Sequence, residues 1–159
     1  ILEDELSAYR FVGREITQIT TKEEIDEIEQ ALETPLETVR THLDNALKLI
    51  SDRKNPDYRN SIKESISAVE AICRAITKNK KATLGQALSE VETKTGLHQA
   101  LKKGFSNLYG YTSSADGIRH ALLEESKLSF EDAKFMIVSC SAFVNYLISK
   151  ASKSGISLD

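Results

Sequence analysis

The chain has no tryptophan, one methionine, two prolines and two cysteines among its 159 residues, and each shortage removes a class of protein. Cys73 and Cys140 stand alone, without a CxxC pair or a Cys/His cluster. This excludes a disulfide scaffold and a zinc framework and leaves two reduced core thiols of the cytosolic kind. His42, His98 and His120 are far apart and form no HExxH spacing; His42 and His98 read as helix-surface residues. No metal and no cofactor are expected. Seven glycines, two prolines and 40% apolar residues exclude collagen-like and disordered chains. No apolar run reads as long and uncharged enough to span a bilayer, so no membrane is expected. Ile1-Leu2-Glu3-Asp4-Glu5 lacks the basic and apolar regions of a secretory signal. The chain therefore reads as a piece of a longer cytoplasmic protein, missing an N-terminal module.

Its length suits one domain with one core. The formal charge of −3 hides an asymmetry: residues 1–35 carry ten acidic and three basic side chains, a balance of −7, and the remainder carries fourteen acidic and eighteen basic, a balance of +4. Lys78, Lys80 and Lys81 crowd one predicted helix end, and Lys102 and Lys103 are adjacent. A mild excess of this kind permits contact with phosphates; lysines on solvated faces and near helix C-termini are the simpler account.

Residues 9–19 alternate in polarity around Val12-Gly13-Arg14, which predicts a short hairpin packed on a helix or completing a sheet of the missing part. Thr21 and Glu24 make a capping box for an acidic helix over 22–33. Thr34-Pro35-Leu36-Glu37 supplies a cap, a first-turn proline and a reciprocal glutamate for a helix to about Arg53. After Asn55-Pro56, the stripe Tyr58, Ile62, Ile66, Val69, Cys73 and Ile76 predicts a core helix to about Lys78. Thr83 and Gln86 open a shorter helix ending near Gly96, and residues 97–108 make another. A loop through Ser114 and a short helix over 115–124 follow. Ser129 then caps a helix over 130–152, whose apolar positions Ala133, Ile137, Cys140, Val144, Leu147 and Ala151 step by fours and threes, a seam suited to two neighbours or a partner subunit. The fold class is all-α, an up-and-down helical bundle with a short N-terminal β-hairpin; residues 1–20 form the connector and 21–159 the helical domain.

The densest polar segment is Tyr109-Gly110-Tyr111-Thr112-Ser113-Ser114-Ala115-Asp116-Gly117-Ile118-Arg119-His120-Ala121. On a helix Asp116 and His120 stand four residues apart, so the carboxylate orients the imidazole and favours its protonated form. Arg119 points elsewhere, toward phosphate or a carboxylate such as Glu64 or Glu70 on the third helix. Tyr109 and Tyr111 cover the pocket or stack on a base. Metal-free RNA cleavage needs a base for the 2′-hydroxyl proton and a cation for the phosphorane charge, roles open to His120 and Arg119. The competing reading is a buried ionic network that ties the loop to the bundle.

From Asn55 onward the chain resembles HEPN-like domains of AbiJ-type bacterial abortive-infection proteins. The matching text is Asn55-Pro56-Asp57-Tyr58-Arg59-Asn60-Ser61-Ile62, Tyr109-Gly110-Tyr111-Thr112-Ser113 with Gly117-Ile118-Arg119-His120-Ala121, Ala133-Lys134-Phe135-Met136 and Phe143-Val144-Asn145-Tyr146-Leu147. The resemblance implies a helical bundle that pairs as a homodimer, the bacterial cytoplasm, and a part in anti-phage defence or toxin-like control of RNA. Many such domains are ribonucleases with an arginine four to six residues before a histidine. Here Arg119 and His120 are adjacent. The resulting expectation is a noncatalytic module that dimerises or binds RNA or a partner. The alternative is a metal-independent endoribonuclease with a degenerate site at Arg119 and His120, supported by Asp116, Tyr109, Tyr111, Glu64 and Glu70.

Overall fold

The computed structural model describes residues 9–19, 21–113 and 128–158. Among the described residues an antiparallel hairpin, β1 (Arg10–Val12) and β2 (Glu15–Thr17), precedes six helices: α1 (Lys22–Leu32), α2 (Glu37–Ser51), α3 (Tyr58–Thr77), α4 (Leu84–Thr95), α5 (Gln99–Ser113) and α6 (Phe130–Lys153); the short helix expected over 115–124 lies outside them. The all-α bundle with an N-terminal hairpin is the predicted one. Arg10 pairs with Thr17 and Val12 with Glu15 around Gly13-Arg14; Gly13 has φ +56° and Arg14 does not enter the positive-φ region, the pattern of a type II′ turn. Two strands cannot hold themselves together in water. The hairpin rests instead on α1 and α2: Val12 and Ile19 are fully buried in the common core, and the Gly13 N–H donates to Glu29 Oε1 at 3.3 Å. The guanidinium of Arg53, just beyond α2, lies 4.6 Å from the Tyr9 ring centroid, a cation–π contact at the other end of the hairpin.

The capping signals divide into two kinds. Thr83 with Gln86 and Ser129 with Asp132 form complete capping boxes at α4 and α6, and Asp57 Oδ1 accepts from the Asn60 N–H at 2.9 Å to open α3. Thr21 makes no side-chain cap. Thr34 does not cap α2 either: the helix starts at Glu37 with Leu36 as its N-cap, and Thr34 Oγ1 accepts the Leu36 N–H at 3.3 Å. The proline thus falls outside the helix, in the tight turn that joins α1 to α2. Likewise α5 does not stop at Leu108. Its backbone runs on through the glycine-tyrosine segment to Ser113, because Gly110 costs only about 1 kcal/mol within a helix and no proline interrupts the run.

The core lies between α2, α3 and α6. Antiparallel α2 and α3 approach closely where small residues meet: buried Ser61 donates its hydroxyl to the Ala46 carbonyl at 2.7 Å, and buried Ser65 donates to Ser61 O. α3 and α6 start at the same end of the bundle, where Tyr58 and Phe130 meet edge-on at 6.4 Å. α5 joins α6 through stacking of Phe105 on Phe143. Val69, Cys73, Ile76, Ile137, Cys140 and Val144 belong to this one core. All six seam residues of α6 are 0% exposed. The seam is therefore occupied by the chain's own helices, the first of the two uses its spacing left open.

α6 also corrects the expectation about apolar runs. Its 24 residues reach the length and composition of a membrane span, yet half of its most apolar stretch is buried inside the fold. Burial against α3 and α1 accounts for its apolarity. α1 docks by charge and amide contacts: Lys134 Nζ reaches Glu24 Oε1 at 3.0 Å, and the Asn145 amide donates to both Glu27 O and Glu27 Oε2, at 3.0 and 2.9 Å. The acidic N-terminal segment is drawn onto the last helix in this way. Past α6, Gly155 (φ +67°) forms a Schellman turn, with Ile156 N–H bonded to Ala151 O and Gly155 N–H to Ser152 O. The turn sends the tail back, so that Leu158 reaches the α2–α3 surface.

Candidate functional site

Where α2 and α3 run alongside each other they leave a cleft of about 710 Å³, a volume usual for small-molecule sites. Leu36, Ala71, Ala75 and Leu158 make its apolar wall, and Thr38 and Ser67 add hydroxyls. From Ser67 to Lys78 it follows α3 for about 16 Å at the helical rise. One end is cationic, with Arg74, Lys78 and Lys80. Toward the other end stands His42, its Nδ1 2.7 Å from Glu64 Oε2.

Each charged group is placed by the local fold. Glu70 and Arg74 are four residues apart on α3, with Arg74 Nη2 donating to Glu70 Oε1 at 2.6 Å. Arg74 Nε donates to the Ala82 carbonyl at 3.1 Å, in the turn that leads to α4. Two anchors thus hold the guanidinium plane, and Nη1 has no hydrogen-bond partner among the described residues. At the end of α3, Lys78 takes the left-handed conformation (φ 58°), which turns the chain so that Lys80 also borders the cleft. Lys94 Nζ donates to Thr77 O at 3.1 Å, satisfying one of the last carbonyls of α3.

Glu64 and Glu70, both singled out in the sequence, are therefore at this cleft or directly behind it, bonded to His42 and Arg74. Tyr109 is half-buried against the core from α5, and the backbone of Tyr111 lies in the same helix. Asp116, Arg119 and His120 lie outside the described residues. His98 is exposed and precedes α5, where its Nδ1 accepts the Ala100 N–H at 3.1 Å. His42 is not a simple surface histidine: its side chain is one-third exposed and bonded across the helix pair. The Glu70-Arg74 pair was readable as an i, i+4 spacing. The His42–Glu64 contact joins residues 22 apart, and the only linear signal was a polar residue at the border of the α2 stripe, next to Leu43.

Burial pushes the thiols of Cys73 and Cys140 up to about 12, Cys73 also feeling Glu70, so neither is a nucleophile at neutral pH. Among the described residues, no group of three or more His, Cys, Asp or Glu converges as a metal cage. Fold and site together define an all-α bundle with a cation-ended cleft between its second and third helices. Comparison with protein-family models, curated proteins and solved structures finds no match. The likeness to HEPN-like domains rests on the residues quoted above.

Proposed function

We propose that this chain is the HEPN-like module of a bacterial abortive-infection protein acting in the cytoplasm, and that it binds RNA as a homodimer without cleaving it. The observation that carries RNA binding is the set of cations, Arg74, Lys78 and Lys80, at one end of the α2–α3 cleft. Residues 36–159, with their balance of +4, give a further electrostatic bias toward phosphate. The defence role rests on the HEPN-like resemblance alone. Pairing needs a surface outside the buried α6 seam, and Phe135, 56% exposed on the opposite side of α6, is the large apolar residue assigned to it.

Titrating the chain into labelled fragments of total cellular RNA tests the reading. Binding that weakens steeply with salt is expected, with the RNA ladder unchanged in the presence or absence of EDTA. A ladder degraded by the wild type and left intact by His120→Ala would move the assignment to the degenerate ribonuclease. No binding at low salt would remove RNA as the partner. Light scattering should give a dimer for the wild type and a monomer for Phe135→Asp; a wild-type monomer at micromolar concentration defeats the pairing.

A further inference from the structure

We infer that the pocket where the hairpin meets the end of α2 is a site for a small free α-amino acid, with Asp52 taking its ammonium and Arg53 its carboxylate. This pocket shares no lining residue with the α2–α3 cleft, and the inference is independent of RNA binding.

The pocket lies between β2, the last turn of α2 and the first residues of α3 and α6, and holds about 130 Å³. That is close to the roughly 150 Å³ that admits a six-carbon ring, so the occupant has only a few heavy atoms. Two hydroxyl oxygens on its lining, Thr17 Oγ1 and Ser51 Oγ, are buried without a hydrogen-bond partner, and Thr17 as a whole is 1% exposed. Buried hydroxyls are as a rule paired, so two orphans on one small cavity point to a polar ligand; a hydroxyl can accept from its ammonium or donate to its carboxylate. A charged pair, exposed on the outer side, lines the same pocket. Asp52 Oδ1 accepts the N–H groups of Lys54 and Asn55 at 2.9 and 3.0 Å, which fixes the carboxylate and holds it below the usual range, while Oδ2 has no partner among the described residues. The Arg53 guanidinium is kept over the Tyr9 ring, and its N–H donors make no hydrogen bond among the described residues. A ligand of either single charge would meet one like charge here, whereas a zwitterion satisfies both. An α-amino acid carries its two charges on neighbouring carbons, compact enough for this volume. Ile16, Ile50, Pro56 and Phe130 leave an apolar wall for a side chain of one or two carbons, and the Gln18 amide, donating to the Tyr9 hydroxyl at 3.1 Å, ties the rim.

The full chain, labelled at its methyl groups, is titrated with L-alanine and followed by the NMR shifts of Ile16, Thr17 and Ile50. Saturable shifts at these methyls are expected. Ethylamine, which lacks the carboxylate, and propionate, which lacks the ammonium, should bind about tenfold more weakly or worse, because each leaves one charge of the pocket unpaired. L-Tryptophan is too large for the cavity and should shift none of the three. Asp52→Asn keeps an acceptor for the Lys54 and Asn55 N–H groups and removes the charge, so it should cost alanine about tenfold in affinity while the fold stands. Arg53→Gln should do the same but also removes the contact with Tyr9; Arg53→Lys keeps a cation over that ring, should leave the thermal transition in place, and should still weaken alanine because an ammonium cannot reproduce the fork. A folded wild type whose three methyls do not move at about 10 mM alanine overturns the inference and leaves the cavity to water. Ethylamine or propionate binding as well as alanine also overturns it, as does alanine affinity unchanged in both Asp52→Asn and Arg53→Lys.

Discussion

Three glycine-to-alanine substitutions separate backbone strain from packing in this fold. Gly155 has φ +67°, and a Cβ there would meet nothing within 4 Å, so Gly155→Ala carries the left-handed strain alone, about 1–2 kcal/mol. Gly13 has φ +56°, and its added Cβ would lie 2.9 Å from Leu32 Cδ1 and 3.4 Å from Leu47 Cδ2. The same strain then combines with overpacking at the point where the hairpin touches α1 and α2, for a total of about 2–4 kcal/mol. Gly104 is helical within α5 with open space around it, and Gly104→Ala should stabilise by about 0.5–1 kcal/mol. Urea unfolding followed by circular dichroism measures all three. Because the tight contact is to the end of a flexible leucine, trimming it should relieve it: the double variant Gly13→Ala, Leu32→Ala should be less damaged than the sum of its parts. A Gly13→Ala cost no larger than that of Gly155→Ala, or strict additivity in the cycle, would show that the hairpin turn is not pressed onto the bundle and would refute the docking described here.

Buried thiols set an alkaline limit on stability. With both cysteines raised from 9.0 to about 12 by burial, the native state holds protons that the unfolded chain releases. Their contribution is therefore complete below pH 9 and is lost between pH 9 and about 12, by up to about 1.4 kcal/mol per thiol per pH unit. Urea unfolding of the wild type beside the Cys73→Ala, Cys140→Ala variant should show a shallower alkaline decline in the latter; parallel declines refute the assignment. Asn145→Ala removes the two bonds to Glu27 and should cost about 1–3 kcal/mol, loosening α1 first. Hydrogen exchange checks this, and α1 amides protected as in the wild type would count against the amide as the α1 anchor.

Much of the architecture was legible because helix patterns repeat every three or four residues and caps lie within four. The α3 stripe, the Thr83-Gln86 signal at α4, the Ser129 cap of α6 and the Gly13 hairpin are all local signals of this kind, and the structure contains each. Misreadings arose where two local signals competed. Thr34 and Pro35 look like the start of α2, but the turn from α1 takes both residues, and Gly110 looks like a stop although α5 continues through it. The site was legible only in pieces: Glu64 and Glu70 were singled out as carboxylates in search of a partner, and the side chains they meet are His42 and Arg74.

What the linear chain determined by itself is the class of the fold, the core faces of its helices and a charge balance that leaves the body mildly basic, since periodicity, capping and composition are properties of neighbours in sequence. Only the tertiary structure decided which faces remain open. The same α6 spacing serves a partner or an internal core equally well, and burial against α3 and α1 selected the core. Likewise, nothing in the order of residues brings His42 to Glu64 or Leu158 to the α2–α3 cleft. Those meetings depend on the antiparallel register of α2 and α3, held by Ser61 on Ala46, and on the Gly155 turn that folds the tail back. Side-chain contacts across helices depend on register and rotation, and these are set by packing the whole core at once.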